Sequence, residues 1–212
     1  MRHVLMAAMT AIVLMIPRSA AAQEVRDYIV ARVGDEAIFA TDVRAAIGLG
    51  IVDLGTHADP EEAALQALIE RRLMLREILR GRPPEPGADA VEAEVERMKS
   101  YAATTFKTVM TVNGIDEERL RRIATDTLRI QLYLDTRFPH VDVSDDEARQ
   151  YFRAHPDAFR RNGELMTFEQ ASAAAHALPA QERRNARIQQ WLAGLIRRTD
   201  VTRPARPAST ER

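Results

Sequence analysis

A mainly α-helical fold, a bundle led by a short β-hairpin and closed by a C-terminal helix that packs back on the core, follows from three features of the sequence. The first is the stretch Asp116 to Phe138, in which Leu120, Ile123, Thr127, Ile130 and Leu134 recur at alternating steps of three and four, with Ala124, Leu128, Gln131 and Phe138 beside them. That period makes one broad apolar face, which needs partners. The second is a set of helix-start signals: Asp59-Pro60-Glu61-Glu62, Asp116-Glu117-Glu118, Ser144-Asp145-Asp146-Glu147 and Thr167-Phe168-Glu169-Gln170. In each, an acceptor side chain stands where free amide protons need one, and the last two follow the capping-box pattern. The third is the alternation Ile29, Ala31, Val33 against Val30 and Arg32, broken by Gly34-Asp35-Glu36 and followed by Ala37-Ile38-Phe39, which reads as a hairpin.

The chain opens with Arg2 and His3, an apolar run from Val4 to Ile16, then Pro17, Arg18 and Ala20-Ala21-Ala22. This is the layout of a cleavable export signal over residues 1–22, cut before Gln23. The run is too short for a spanning helix, which needs about 20 apolar residues, so no stable membrane insertion is expected after cleavage. Localisation in the periplasm follows. With no cysteine in 212 residues there is no disulfide, lipid anchor or thiol chemistry, and a hydrophobic content of 46% must hold the fold by packing alone. Without Arg2 and Arg18 the mature chain has 28 basic and 31 acidic groups, a formal charge of −3, which gives no reason to bind nucleic acid. Eight arginines fall between Gln181 and Arg212, but without interleaved aromatic residues they suit a solvated helix face and tail.

After the hairpin, Thr41 and Asp42 start a helix carrying Val43, Ile47, Ile51 and Leu54; Gly48 and Gly50 weaken it and Gly55 closes it. From Asp59 the next helix runs to about Arg80. Leu65, Leu68, Ile69, Leu73 and Leu79 face inward, and Arg72 and Arg76 share that stripe, either snorkelling from its edge or meeting a bound acidic group. Residues 81–87, GRPPEPG, are a connector. A helix over Ala90 to Tyr101 presents Val91, Val95 and Met98, and a shorter one from Thr105 to Val112 presents Phe106, Val109 and Met110 before Asn113-Gly114 ends it. Past the central helix, the Ser144 capping box opens a helix with Ala148, Tyr151 and Phe152, which His155-Pro156 stops. The last helical region begins at Thr167 and is broken or kinked at Pro179. Its second part carries Ile188, Trp191, Leu192, Leu195 and Ile196 on one face, which should dock on the rest. Residues 203–212 read as a disordered tail.

Chemistry is harder to find. His57, His140, His155 and His176 lack metal-site spacing, no serine sits in a Gly-x-Ser-x-Gly elbow, and Gly48-Leu49-Gly50 lacks the strand a phosphate loop requires. No catalytic residue, metal or cofactor is assigned.

The order of elements is more specific: VARVGDEAIFATDV, LIERRLMLREIL, the connector, a helix pair, NGIDEERLRR…LYLDTRF, then VSDDEARQYFRAHPDAF. It resembles the N-terminal domain of SurA-type periplasmic chaperones and parvulin-type foldases, over about residues 27–159, with the last helix matching the family's C-terminal helix. The resemblance implies a domain at 23–159 and a docking C-terminal segment at 160–202. It also implies a function in binding unfolded outer-membrane or secreted proteins through an apolar groove between helices. In the family a prolyl-isomerase domain follows the segment ending at Phe159; here eight residues separate Phe159 from Phe168, so the isomerase residues have no positions to occupy. Peptidyl-prolyl isomerase activity by family association remains the alternative, as does a structural or dimerisation module for one envelope partner, with a homodimer through the amphipathic end helix. Met98, Phe106 and Met110, adaptable in shape, are the candidate client-binding side chains, with core packing as their bland alternative.

Overall fold

In the computed structural model, which describes residues 27–204, strands β1 (Ile29–Val33) and β2 (Glu36–Phe39) form an antiparallel hairpin with Val33 opposite Glu36. Gly34 turns it at φ +61°, a left-handed angle that glycine adopts without strain. Helix α1 (Ala40–Gly48) follows, its start fixed by the Asp42 carboxylate accepting the Phe39 amide at 2.9 Å. Then come α2 (Pro60–Arg80), capped by Asp59, α3 (Ala88–Ala102), and α4 (Phe106–Val112), reached through a tight turn at Ala103–Thr105. The central helix is α5 (Glu117–Arg137), with Asp116 accepting the Arg119 amide at 2.7 Å. Helix α6 (Asp145–Ala154) starts in the expected Ser144–Glu147 capping box. A 3-10 turn (Pro156–Phe159) and a small hairpin, β3 (Arg160–Arg161) with β4 (Glu164–Leu165), lead to α7 (Phe168–Arg198) and β5 (Val201–Thr202). The expected export signal at 1–22 and the tail beyond residue 204 lie outside the described residues. Among the described residues no helix is long and apolar enough to cross a membrane.

The fold class is the expected one: a helical bundle with a short hairpin, and a C-terminal helix returning to the core. Alternate residues of β1, Ala31 and Val33, join Ile38, Val43, Ala46, Leu68, Ile69 and Leu73 from β2, α1 and α2, and α7 supplies Leu192 and Leu195 to the same cluster. A second cluster lies where α1, α3 and α5 meet, around Leu49, Val95, Met98, Leu120 and Ala124. A third joins α6 to the first half of α7 through Ala148, Phe159, Ala171 and Ala175, ringed by Phe152 and Phe168. The α7 helix thus spans two clusters, and Trp191 lies against the rings of Tyr133 and Phe138 at centroid distances of 5.5 and 5.6 Å.

Five details depart from the sequence expectation. Helix α1 ends at Gly48 rather than reaching Gly55, because Gly50 at φ +59° closes it: Ile51 N–H bonds to Ala46 O and Gly50 N–H to Ile47 O, a Schellman motif. Leu79 points outward, 48% exposed, and Leu75 and Ile78 take the inward positions of α2. Pro179 neither breaks nor ends α7: it removes the amide that Ala175 O would accept, but packing on α6 before it and on α2 after it keeps the helix in one piece. The chain after α7 is anchored, with β5 adding to the free edge of β1 to give the order β2-β1-β5. Arg203, placed in the tail by composition, bonds to Glu62 at 2.5 Å and to Gln66 at 2.7 Å. Arg72 and Arg76 pair with Glu36 and Asp35 at 3.3 and 2.5 Å, tying α2 to the hairpin.

Two measurements test this packing. Leu192→Ala should cost about 2–5 kcal/mol in denaturant unfolding, since it empties a buried site between α7 and the sheet. Ile196→Ala, 41% exposed one turn on, should stay within about 0.5 kcal/mol of the parent. A third concerns pH. His176 donates from Nδ1 to Ser172 O at 2.8 Å and meets Asp145 of α6 at 2.9 Å. The carbonyl first, then the carboxylate, raises its pKa. A raised pKa stabilises the fold fully below the unfolded value, about 6.5, and the effect is lost as pH rises through the folded value. The thermal midpoint of His176→Gln should therefore fall below the parent's at pH 5.5 and converge with it at pH 8.5, about two units above the unfolded pKa.

Candidate functional site

A wide opening lies between α2 and α5. At one end the two helices meet through Leu75, Ile78 and Ile130. Midway, the residues between them are Arg71 and Thr127, and the Arg71 guanidinium donates to Ile123 O and Thr127 Oγ1, each at 3.0 Å. Burial pushes the Arg71 pKa down to about 10, so it stays charged near neutral pH. A trough opens beside this pair, and both residues line it. Ala67 and Met74 of α2, Ile130 and Leu134 of α5, and Ile51 and Val52 after α1 line a cleft of about 440 Å³. Arg184 of α7 closes one end, bonding to Phe138 O and Asp135, both at 2.7 Å.

The cleft continues along α2. A second opening of about 430 Å³, past His57, Asp59, Glu62 and Gln66, shares Asp53, Ala67 and Glu70 with the first, so the two form one trough. Its floor is small and apolar, from Ala58, Ala63 and Ala67 to Met74, and its rim is polar. From Asp59 to Met74 it follows α2 for about 22 Å at 1.5 Å per residue. That length suits about seven residues of extended chain at roughly 3.3 Å each. A separate apolar cup of about 240 Å³ sits where the connector turns back over α5, between Ile78, Pro83, Pro84, Leu132 and Tyr133.

The three client-binding candidates do not line the trough. Met98 is fully buried, 0% exposed, in the cluster of Leu49, Val95 and Leu120, so it has no surface to offer a guest. Phe106 and Met110 are half-buried on α4 at the margin of the same cluster, and Val109 between them reaches Gly48, where a Cβ would meet it at 2.8 Å. Those small-residue contacts seat α4 on α1. Sequence reasoning missed the trough because it treated every apolar position on the α5 stripe as core; the polar break at Arg71 and Thr127 was the available signal.

Chemically, the trough offers apolar contact flanked by carboxylates. Among the described residues no three histidine, aspartate or glutamate side chains gather as a metal site, and the trough places no nucleophile beside a base. No family model matches this chain, and no curated protein and no solved structure matches it either.

Exposure of the trough is checked by oxidation. Under dilute peroxide, Met74 should form sulfoxide at least about tenfold faster than Met98, whose thioether is reached only when the core opens. Peptide mass mapping over time reads both residues at once.

Proposed function

We propose that this protein is an exported, periplasmic chaperone-like module that binds unfolded outer-membrane or secreted proteins and carries out no covalent chemistry. The observation that carries this reading is the open trough between α2 and α5, which presents Ile51, Val52, Met74 and Leu134 in a groove that no part of the described chain fills. Unfolded chains expose apolar side chains in extended segments, and an apolar groove covers such a segment while its surroundings stay in water. Methionine and small side chains along the floor tolerate varied guests, because Met74 can change rotamer and the alanines leave room. Cover of this kind is reversible: no hydrogen-bonded anchor fixes one sequence, and apolar contact is non-directional.

Two further features support the reading. The leader at residues 1–22 has the layout of an export signal, which supports a role among unfolded envelope proteins. Between Phe159 and Phe168, where the resembling foldases carry their isomerase domain, this chain makes only the tight β3–β4 hairpin, turned by Asn162 and Gly163 at φ +52° and +87°. The non-catalytic reading therefore expects the uncatalysed rate in a proline-peptide assay.

The deciding experiment follows light scattering of a denatured outer-membrane protein diluted into buffer with the mature protein. Aggregation should be delayed at near-stoichiometric ratios, and Ala67→Trp, which fills the trough at the point its two halves share, should abolish the delay while changing the unfolding free energy by less than about 1 kcal/mol for a half-buried surface site. Undelayed aggregation with the parent protein would remove the proposal.

A further inference from the structure

The rim of the trough is chemically selective. Along α2, Glu62, Gln66 and Glu70 form a row spaced four residues apart, about 6 Å per step. The first two positions are already engaged: Arg203, in the extended chain after β5, binds Glu62 at 2.5 Å and Gln66 Oε1 at 2.7 Å. The Gln66 amide in turn donates to Glu70 Oε1 at 2.9 Å. Glu70 has no ion-pair partner among the described residues, and neither does Asp53 across the trough, which accepts only the Gly55 amide. The cations nearby point elsewhere: Arg71 is committed to the α5 backbone and Thr127, and Arg184 to Asp135 and Phe138 O.

We infer that the guest segment this trough selects is extended and apolar and carries arginine or lysine, with the cation seated on Glu70 and facing Asp53. The inference rests on the chaperone reading above and names the chemistry of its client. Charge complementarity carries it, and the chain displays the same contact itself, since Arg203 is a basic residue of an extended segment bound to the first acceptors of the row. Side chains two apart on an extended chain repeat every 6.6 Å or so, close to the spacing of the α2 row, so a strand running beyond Arg203's position presents its cations in register with Glu70. Intervening apolar side chains turn toward Met74, Ile130 and Leu134. A guest bearing acidic residues meets the Glu70 and Asp53 carboxylates, neither of which has an ion-pair partner among the described residues, and is disfavoured.

The test uses the full mature chain and labelled, end-capped seven-residue peptides of leucine, valine and serine that differ at one central position: arginine, glutamine or glutamate. Fluorescence anisotropy should rank them arginine, glutamine, glutamate, with arginine roughly two- to fivefold tighter than glutamine, the range of a half-exposed ion pair, and the gap shrinking as salt is raised. Glu70→Gln should bring the arginine peptide level with the glutamine one, and Glu164→Gln on β4, remote in sequence and outside the trough lining, should leave the ranking intact. Equal affinities for the arginine and glutamine peptides would overturn the inference while leaving the chaperone reading in place, and so would a preference that survives Glu70→Gln combined with Asp53→Asn. Binding of none of the three would remove both.

Discussion

Everything in this molecule depends on the end of the chain closing over its beginning. Leu192 and Leu195 of α7 complete the cluster that buries β1, β2 and the inner face of α2, and β5 then takes the open edge of β1. A two-stranded hairpin alone is marginal in water, because half its apolar surface and one edge of unpaired backbone stay wet. Here both deficits are met by the same thirty-odd residues at the other terminus. The Gly34 amide bonds to Asp200 O at 2.8 Å across this closure, and Arg203 fastens it to α2. With no disulfide to help, the fold is held by long-range apolar packing and a few polar fasteners.

The same closure makes α2 a wall shared by two compartments. One face packs on the sheet through Ala64, Leu68, Ile69 and Leu73, with Arg72 and Arg76 paired to the hairpin at its edge; the flank beside it faces α5. Arg71 and Thr127 stand there. A guanidinium with two hydrogen bonds is tolerated between the helices, but it cannot be packed like a leucine, and it lines the trough.

Helix α7 also shows why local rules fail when tertiary contact is strong. Proline inside a helix ordinarily costs about 3 kcal/mol, enough to end most helices. The helix is held by α6 before Pro179 and, after it, by α2 and by Tyr133 of α5 against Trp191, so a break would lose two sets of contacts to recover one hydrogen bond. Satellite structure around α6 is built the same way: Phe152 meets Phe159 at a tilt and Phe168 edge-on, and the Arg149 guanidinium lies 4.3 Å from the centre of the Phe168 ring.

Sequence by itself determined the helical class, the hairpin, the caps at Asp59, Asp116, Ser144 and Thr167, and the docking face of the last helix. Each of these is a local or periodic property, written within one turn or one stripe of residues. Helix α1 was read too long because three glycines compete to end it, and only the Schellman bonds to Gly50 and Ile51 decide between them. Tertiary structure alone decided that Met98 is core, that α7 survives Pro179, that Arg203 is fastened and that α2 and α5 part company at Arg71. All four depend on which distant surfaces meet. A groove is a relation between two helices whose facing residues, Arg71 and Thr127, lie 56 positions apart, and the polar break that each helix carries there does not say which distant surface it will meet.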